Sequence, residues 1–124
     1  MGNIVKPAIN SIVIYAKNVT KMVTFYEKYF DFKPRTIEGD RIIELIPSHG
    51  GAHLMIHPSG KGTKEGQVCV KLVFDIRDIE GFREKSAKNG LKFGAVHQAD
   101  GYMYSNTKDP GRNSIQISSR RYKK

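Results

Sequence analysis

The sequence predicts an α+β chain built from two βαβββ modules, and three observations predict it. The chain resembles itself: SIVIYAKNVTKM, from Ser11, and KLVFDIRDIEGF, from Lys71, carry one pattern. Each copy is followed by three more strand signals separated by turns. Between the copies runs a polar, glycine-rich stretch, PSGKGTKEGQ, with the composition of a flexible linker. Half of a 124-residue chain is too short to bury a stable core alone. The expectation is therefore one domain over residues 1–124, with module one at about 8–58, the linker at about 58–67 and module two at about 68–120.

Each copy opens with alternating apolar and polar residues, the pattern of a strand with one buried face. A capping residue follows, Asn18 or Asp78, whose side chain can accept from the free N–H groups of a helix start. Next come a β-branched residue, Val19 or Ile79, and a large apolar residue three positions on, Met22 or Phe82. In the first helix Met22, Phe25, Tyr26 and Tyr29 share one face at helical spacing. The second is weaker, with Ile79, Phe82 and Ala87, and Gly90 is placed to end it. The remaining strands are expected at about 32–37, 41–47 and 52–57, then at about 91–98, 102–108 and 114–119. Turns at EGD, SHGG, ADG and DPGRN separate them.

Composition limits the functional classes. The net charge is +9, from 21 Lys and Arg against 12 Asp and Glu, which favours anionic partners. No apolar run approaches a membrane span, and no signal peptide is legible, so no membrane partner is expected. The one cysteine, Cys69, sits within VCVKLVF and reads as a buried, unreactive thiol. It can form no internal disulfide, which points to a reducing, cytoplasmic setting. The tail RRYKK is expected to fray. Nucleic acid is not expected as a partner, because the basic residues are dispersed and no recognition helix or stacking motif is present.

With FYEKYFDF after the first strand, FREKSAKNGLKFG in the second module and DPGRNSIQISS near the end, the chain resembles the vicinal oxygen chelate superfamily. That group includes glyoxalase I, bleomycin-resistance proteins, fosfomycin-resistance enzymes and extradiol dioxygenases. The resemblance implies a cup-shaped eight-stranded sheet in which four inward positions, usually His or Glu in the enzymes, hold a metal. Those positions fall here on Ser11, Met55, Lys71 and Gln116. Alternation agrees, because Ile12, Ile14, Leu54, Ile56, Leu72, Phe74, Ile115 and Ile117 form the apolar face that leaves those four on the other. Serine and methionine replace carboxylate and imidazole donors poorly, and an ammonium repels a cation. The expectation is no metal and no cofactor.

Around these positions the open face is expected to carry His53 and His57, with Tyr15, Tyr102 and Tyr104 as aromatic walls and phenol donors. His53 and His57 stand about 13 Å apart along a strand, at roughly 3.4 Å per residue, too far to share one ion. No Ser-His-Asp or Cys-His arrangement is legible, and SGKGTKEG lacks the spacing of a phosphate loop. Lys71 is expected either to face a partly dry pocket and seek an acidic ligand or to snorkel to the rim. The ligand-binding set is therefore Ser11, Tyr15, His53, Met55, His57, Lys71, Tyr102, Tyr104 and Gln116, with no catalytic residue assigned. The primary reading is metal-free binding of a small organic molecule, anionic in one form of that reading, by a protein expected to be a homodimer. Bleomycin itself, a cationic glycopeptide, suits a basic chain poorly. The alternative is a glyoxalase-type lyase, isomerase or dioxygenase with displaced ligands or a metal-free acid–base pair such as His57 and Glu44.

Overall fold

The computed structural model describes residues 9–62 and 64–123. The start of the first module at residue 8, Thr63 of the linker and Lys124 of the tail lie outside the described residues. The chain divides into two compact units between Lys61 and Gly62, each a βαβββ module. The first contains β1 (Ser11–Ala16), α1 (Val19–Phe30), β2 (Phe32–Arg35), β3 (Ile43–Pro47) and β4 (His53–Pro58). The second contains β5 (Lys71–Asp75), α2 (Ile79–Lys88), β6 (His97–Ala99), β7 (Tyr102–Lys108) and β8 (Ser114–Ser118), then a 3-10 turn, Arg120–Tyr122.

In the first sheet the strand order is β1-β4-β3-β2, with β1 parallel to β4 and the other pairs antiparallel. Ser11 lies opposite His53, and Tyr15 opposite His57. That register puts Ile14, Ala16, Leu54 and Ile56 together on one face, where all are buried. Helix α1 covers this face with Met22, Val23, Phe25 and Tyr26, and Tyr26 meets Phe32 edge to face at 6.0 Å. Each fully buried side chain of this size contributes about 1.5–3 kcal/mol relative to exposure. Asn18 caps the helix by accepting from the Lys21 N–H at 3.0 Å.

The second sheet repeats the plan, β5-β8-β7-β6, with β5 parallel to β8. Ile79, Leu91, Phe93, Ile115 and Ile117 form its buried core. Asp78 caps α2 through the Gly81 N–H at 3.0 Å. Gly81 sits directly beneath that cap, and a β-carbon there would run into the Asp78 carboxylate. Beyond α2, Gly90 takes φ +101°, a left-handed conformation that glycine adopts without steric cost. In the DPGRN turn the buried Asp109 carboxylate accepts from the Gly111 N–H at 2.9 Å and from the backbone and side chain of Asn113.

Several expectations change. The strand expected over 91–98 is reduced to His97–Ala99. Residues 91–96 are fastened by other bonds instead: Leu91 N–H donates to Ser86 O, and the Gly94 carbonyl accepts from Arg83 Nε and Ser105 Oγ. The strand expected from residue 41 begins at Ile43. Ala87 is exposed and Ser86 takes the buried position on α2. Cys69 is exposed, because VCV precedes the sheet instead of entering it. Through Lys123 the tail folds back onto the second unit instead of fraying: Arg77 stacks over the Tyr122 ring at 4.1 Å, and Ser119 N–H bonds Met103 O on β7.

The cap and the glycine below it are coupled. Asp78→Ala is expected to cost about 1 kcal/mol. Gly81→Ala alone should return less than the ~1 kcal/mol that removing a helical glycine normally gives, because the new methyl displaces the cap. In the Asp78→Ala background it should give the full gain. Urea unfolding of both single variants and the double variant measures this coupling, and additive values would disprove it.

Candidate functional site

Because side chains alternate along a strand, the residues not covered by a helix form one open face on each sheet. On the second sheet that face carries Lys71, Val73 and Asp75 from β5, Gln116 from β8, and Tyr102, Tyr104 and Asn106 from β7. Asn106 is its hinge-pin. Its Oδ1 accepts from Gln116 Nε2 at 3.0 Å and from Lys71 Nζ at 3.3 Å. Lys71 is exposed and bonded to a neutral amide, so of its two expected settings the partly dry one is corrected.

Beside Gln116 opens a depression of about 570 Å³, lined by Val73, Asp75, Tyr102, Gln116, Ser118, Arg120 and Arg121. This volume falls within the usual range for small-molecule sites, roughly 300–1,000 Å³. Arg121 reaches Asp75 at 3.7 Å, and Arg120 lies over the Tyr102 ring with Nη1 3.3 Å from its hydroxyl. Tyr102 continues an aromatic row through Tyr104, 6.2 Å away, to His97, stacked on Tyr104 at 5.1 Å. The sequence reading missed Asn106 and both arginines. Extending the alternation of Tyr102 and Tyr104 by one step reaches Asn106, whereas nothing in the sequence shows the tail folding back.

The first sheet's open face carries Ser11, Val13 and Tyr15 from β1, His53, Met55 and His57 from β4, Glu44 from β3 and Arg35 from β2. Glu44 divides its carboxylate between two partners, with His53 Nδ1 at 2.7 Å on Oε1 and Arg35 Nη2 at 2.9 Å on Oε2. The hydrogen bond to His53 is the largest influence on Glu44 and, together with the Arg35 guanidinium, holds it below the ordinary carboxylate range against desolvation, the second-largest influence, which pushes the other way. The pair expected between His57 and Glu44 is therefore corrected. Register places Glu44 opposite Met55 and within reach of His53, while His57 Nδ1 bonds Pro58 O at 2.7 Å and its ring lies 5.0 Å from Tyr15.

A family model described as the Glyoxalase/Bleomycin resistance protein/Dioxygenase superfamily matches residues 8–117. The chain belongs to that superfamily. Among solved structures it is similar to TnmS3, an antibiotic binding protein from Streptomyces sp. CB03234, at 13% identity and a TM-score of 0.76, over 93% of this chain and 97% of that one. It is similar also to lactoylglutathione lyase from Agrobacterium tumefaciens, at 12% identity and 0.69, over 91% and 93%. A virulence protein from Salmonella typhimurium gives 17% identity and 0.69, over 93% and 98%. At such identities these likenesses establish the fold. No curated protein matches the chain in sequence.

The four positions that the resemblance assigns to a metal offer poor donors for one. Ser11 and Met55 stand on the first sheet and Lys71 and Gln116 on the second, with no carboxylate or imidazole among them. Among the described residues, no three His, Cys, Asp or Glu side chains group closely enough to hold an ion. None of the described helices is long and apolar enough to cross a membrane.

Glu44 gives a pH test. A carboxyl held low in the folded state stabilises it above the ordinary carboxylate range, and that contribution is lost as pH falls through the depressed value. Glu44→Gln should therefore be less stable than wild type at neutral pH, and the difference should close only below the usual carboxylate range. Urea midpoints measured across acid pH would show it, and a gap independent of pH would contradict it.

Proposed function

We propose that the protein binds a small organic molecule bearing an anionic group on the open face of the second sheet, without a metal ion. The observation that carries this reading is the depression beside Gln116, where Arg120, Arg121 and the Tyr102 ring line one space. A guanidinium matches carboxylate and phosphate geometry with paired donors, and an aromatic wall accepts a flat body. Gln116, steadied by Asn106, adds a neutral amide, Tyr104 extends the wall, and Lys71 supplies a further cation two positions from Val73. In the same reading Ser11, Tyr15, His53, Met55 and His57 are the contact residues of the first unit's own face. Binding without turnover accords with the fold shared with TnmS3, which is described as an antibiotic binding protein. A reducing, cytoplasmic setting accords with the single cysteine.

A thermal-shift screen of aromatic and aliphatic carboxylates and phosphates, against matched amines and neutral analogues, tests the proposal. A ligand at about 100 times its Kd stabilises by about 2.7 kcal/mol, which raises Tm by several degrees. Arg121→Ala and Gln116→Leu should remove the shift, and Lys71→Met should reduce it. Elemental analysis of untagged protein should find transition metal well below stoichiometric. Hits confined to neutral or cationic compounds would overturn the anionic assignment, and stoichiometric metal would overturn the metal-free one.

The second component of the reading is a homodimer. β1, β2, β5 and β6 are edge strands of their sheets, and Val13, Tyr15 and Val73 on the open faces are 46%, 57% and 54% exposed. Such surfaces are commonly covered by a second copy. Light scattering should give twice the 14.0 kDa chain mass, and a monomer mass that persists on concentration would exclude pairing.

A further inference from the structure

We propose that Ser11, His53 and Glu44 form an acyl-transfer site on the open face of the first sheet, able to hydrolyse small carboxylic esters. No sequence spacing shows this arrangement, because the three residues come from three strands. Register makes Ser11 on β1 the strand partner of His53 on β4, and His53 bonds Glu44 on β3; among the described residues no bond joins the Ser11 and His53 side chains, so that contact forms with substrate bound. Arg35 on β2 completes the row from the far side of Glu44. One polar side chain per strand thus crosses the sheet in the order hydroxyl, imidazole, carboxylate, guanidinium.

The chemistry of each link is determined by the next. Arg35 is always charged and holds Glu44 ionised. An ionised carboxylate only accepts hydrogen bonds, so the 2.7 Å contact requires His53 Nδ1 to donate. In the neutral form of the imidazole the free lone pair is then on Nε2, which makes that atom the base. The His53 side chain is 39% exposed, so a substrate can approach it, while Glu44, at 21%, is the better shielded of the two. None of the other three histidines combines these features. His57 bonds a neutral carbonyl, His97 stacks on Tyr104, and His49 meets Asp31 at 3.6 Å with both side chains largely exposed. Val13 and Met55, partners across β1 and β4 on the same face, offer an apolar seat for a short acyl chain.

The reaction balances with water as co-reactant. His53 Nε2 takes the proton of Ser11 Oγ, and the oxygen bonds to the ester carbonyl carbon as the carbonyl electron pair moves onto its oxygen. That pair returns, the bond to the alcohol oxygen breaks, and the alcohol leaves with the proton from Nε2. Water, deprotonated by the same nitrogen, then attacks the acyl-serine. The carboxylic acid is released and Ser11 recovers its proton. Ser11 and His53 are the catalytic residues, and Glu44 and Arg35 are positioning residues.

The test uses the full chain with 4-nitrophenyl acetate, and none of Arg121, Gln116 and Lys71, the residues varied against the thermal-shift hits, belongs to the row that it probes, so either reading can fail alone. Wild type should release a burst of 4-nitrophenol equal to the protein concentration, and mass spectrometry of the quenched protein should find the acetyl group on Ser11. Ser11→Ala should lower the rate by roughly 10²–10⁴-fold with Tm unchanged, and His53→Gln by as much with a lower Tm, because it removes the bond to Glu44. Nitrogen NMR should show His53 protonated on Nδ1 in wild type and released toward the Nε2–H form in Glu44→Gln, with Glu44→Asp restoring part of the rate. A wild-type rate no greater than that of Ser11→Ala, or acetyl carried on lysines alone, overturns the proposal. If the serine variant also loses Tm, the acetylation site in folded wild type still decides it.

Discussion

The period-two alternation of the parallel pairs β1–β4 and β5–β8 is the constraint on which the rest of each unit depends. It puts Ile14, Leu54 and Ile56 under α1, and Ile115 and Ile117 in the second core, while turning Ser11, His53 and Gln116 to the open faces. A slip of one residue in either pair would exchange the two sets, burying imidazole and amide groups and exposing isoleucines. Burial of the apolar set therefore fixes the register. The fixed register in turn decides which polar groups can meet. The bond from Glu44 to His53, and the bonds from Gln116 and Lys71 to Asn106, follow from packing on the opposite side of the sheet.

What was legible in the sequence was local. Caps, helix faces and strand alternation depend on neighbours a few positions away, and Asn18, Asp78 and the buried isoleucines all lie where that reading puts them. The family and its two-module plan were legible for the same reason. The departures involve partners distant in sequence. Apolar residues in 91–96 suggested a strand, but bonds from α2 and β7 hold that segment in another form. A short segment at a terminus suggested a frayed tail, yet Tyr122 beneath Arg77 and Ser119 on Met103 tie it to the second unit. Glu44 alternates correctly, but its register opposite Met55 leaves His53 and His57 two positions to either side, and the bond is made to His53.

The two open faces have diverged in chemistry although the modules share one plan. The first sheet concentrates a hydrogen-bonded ionic row, in which a carboxylate is divided between a base and a permanent cation. The second has a neutral amide cluster flanked by tyrosines and by arginines from the tail. With an overall charge of +9, long-range attraction of anions is common to the whole chain. Beyond that field the two faces differ in local geometry, where planar guanidinium groups and aromatic rings stand apart from a diffuse field of lysines.

The Asp109 turn shows what such a chain is free to change. Its buried carboxylate gathers the N–H groups of Gly111 and Asn113 and closes the β7–β8 connection without reference to any bound molecule. The segment by which the chain resembles its relatives is thus a piece of folding machinery, remote in purpose from chemistry. A lineage can replace every donor on its open faces and still keep this knot, since losing it would leave a buried charge unsatisfied. Kinship is written in the turn, and occupation on the sheet faces, so the two can be inherited separately.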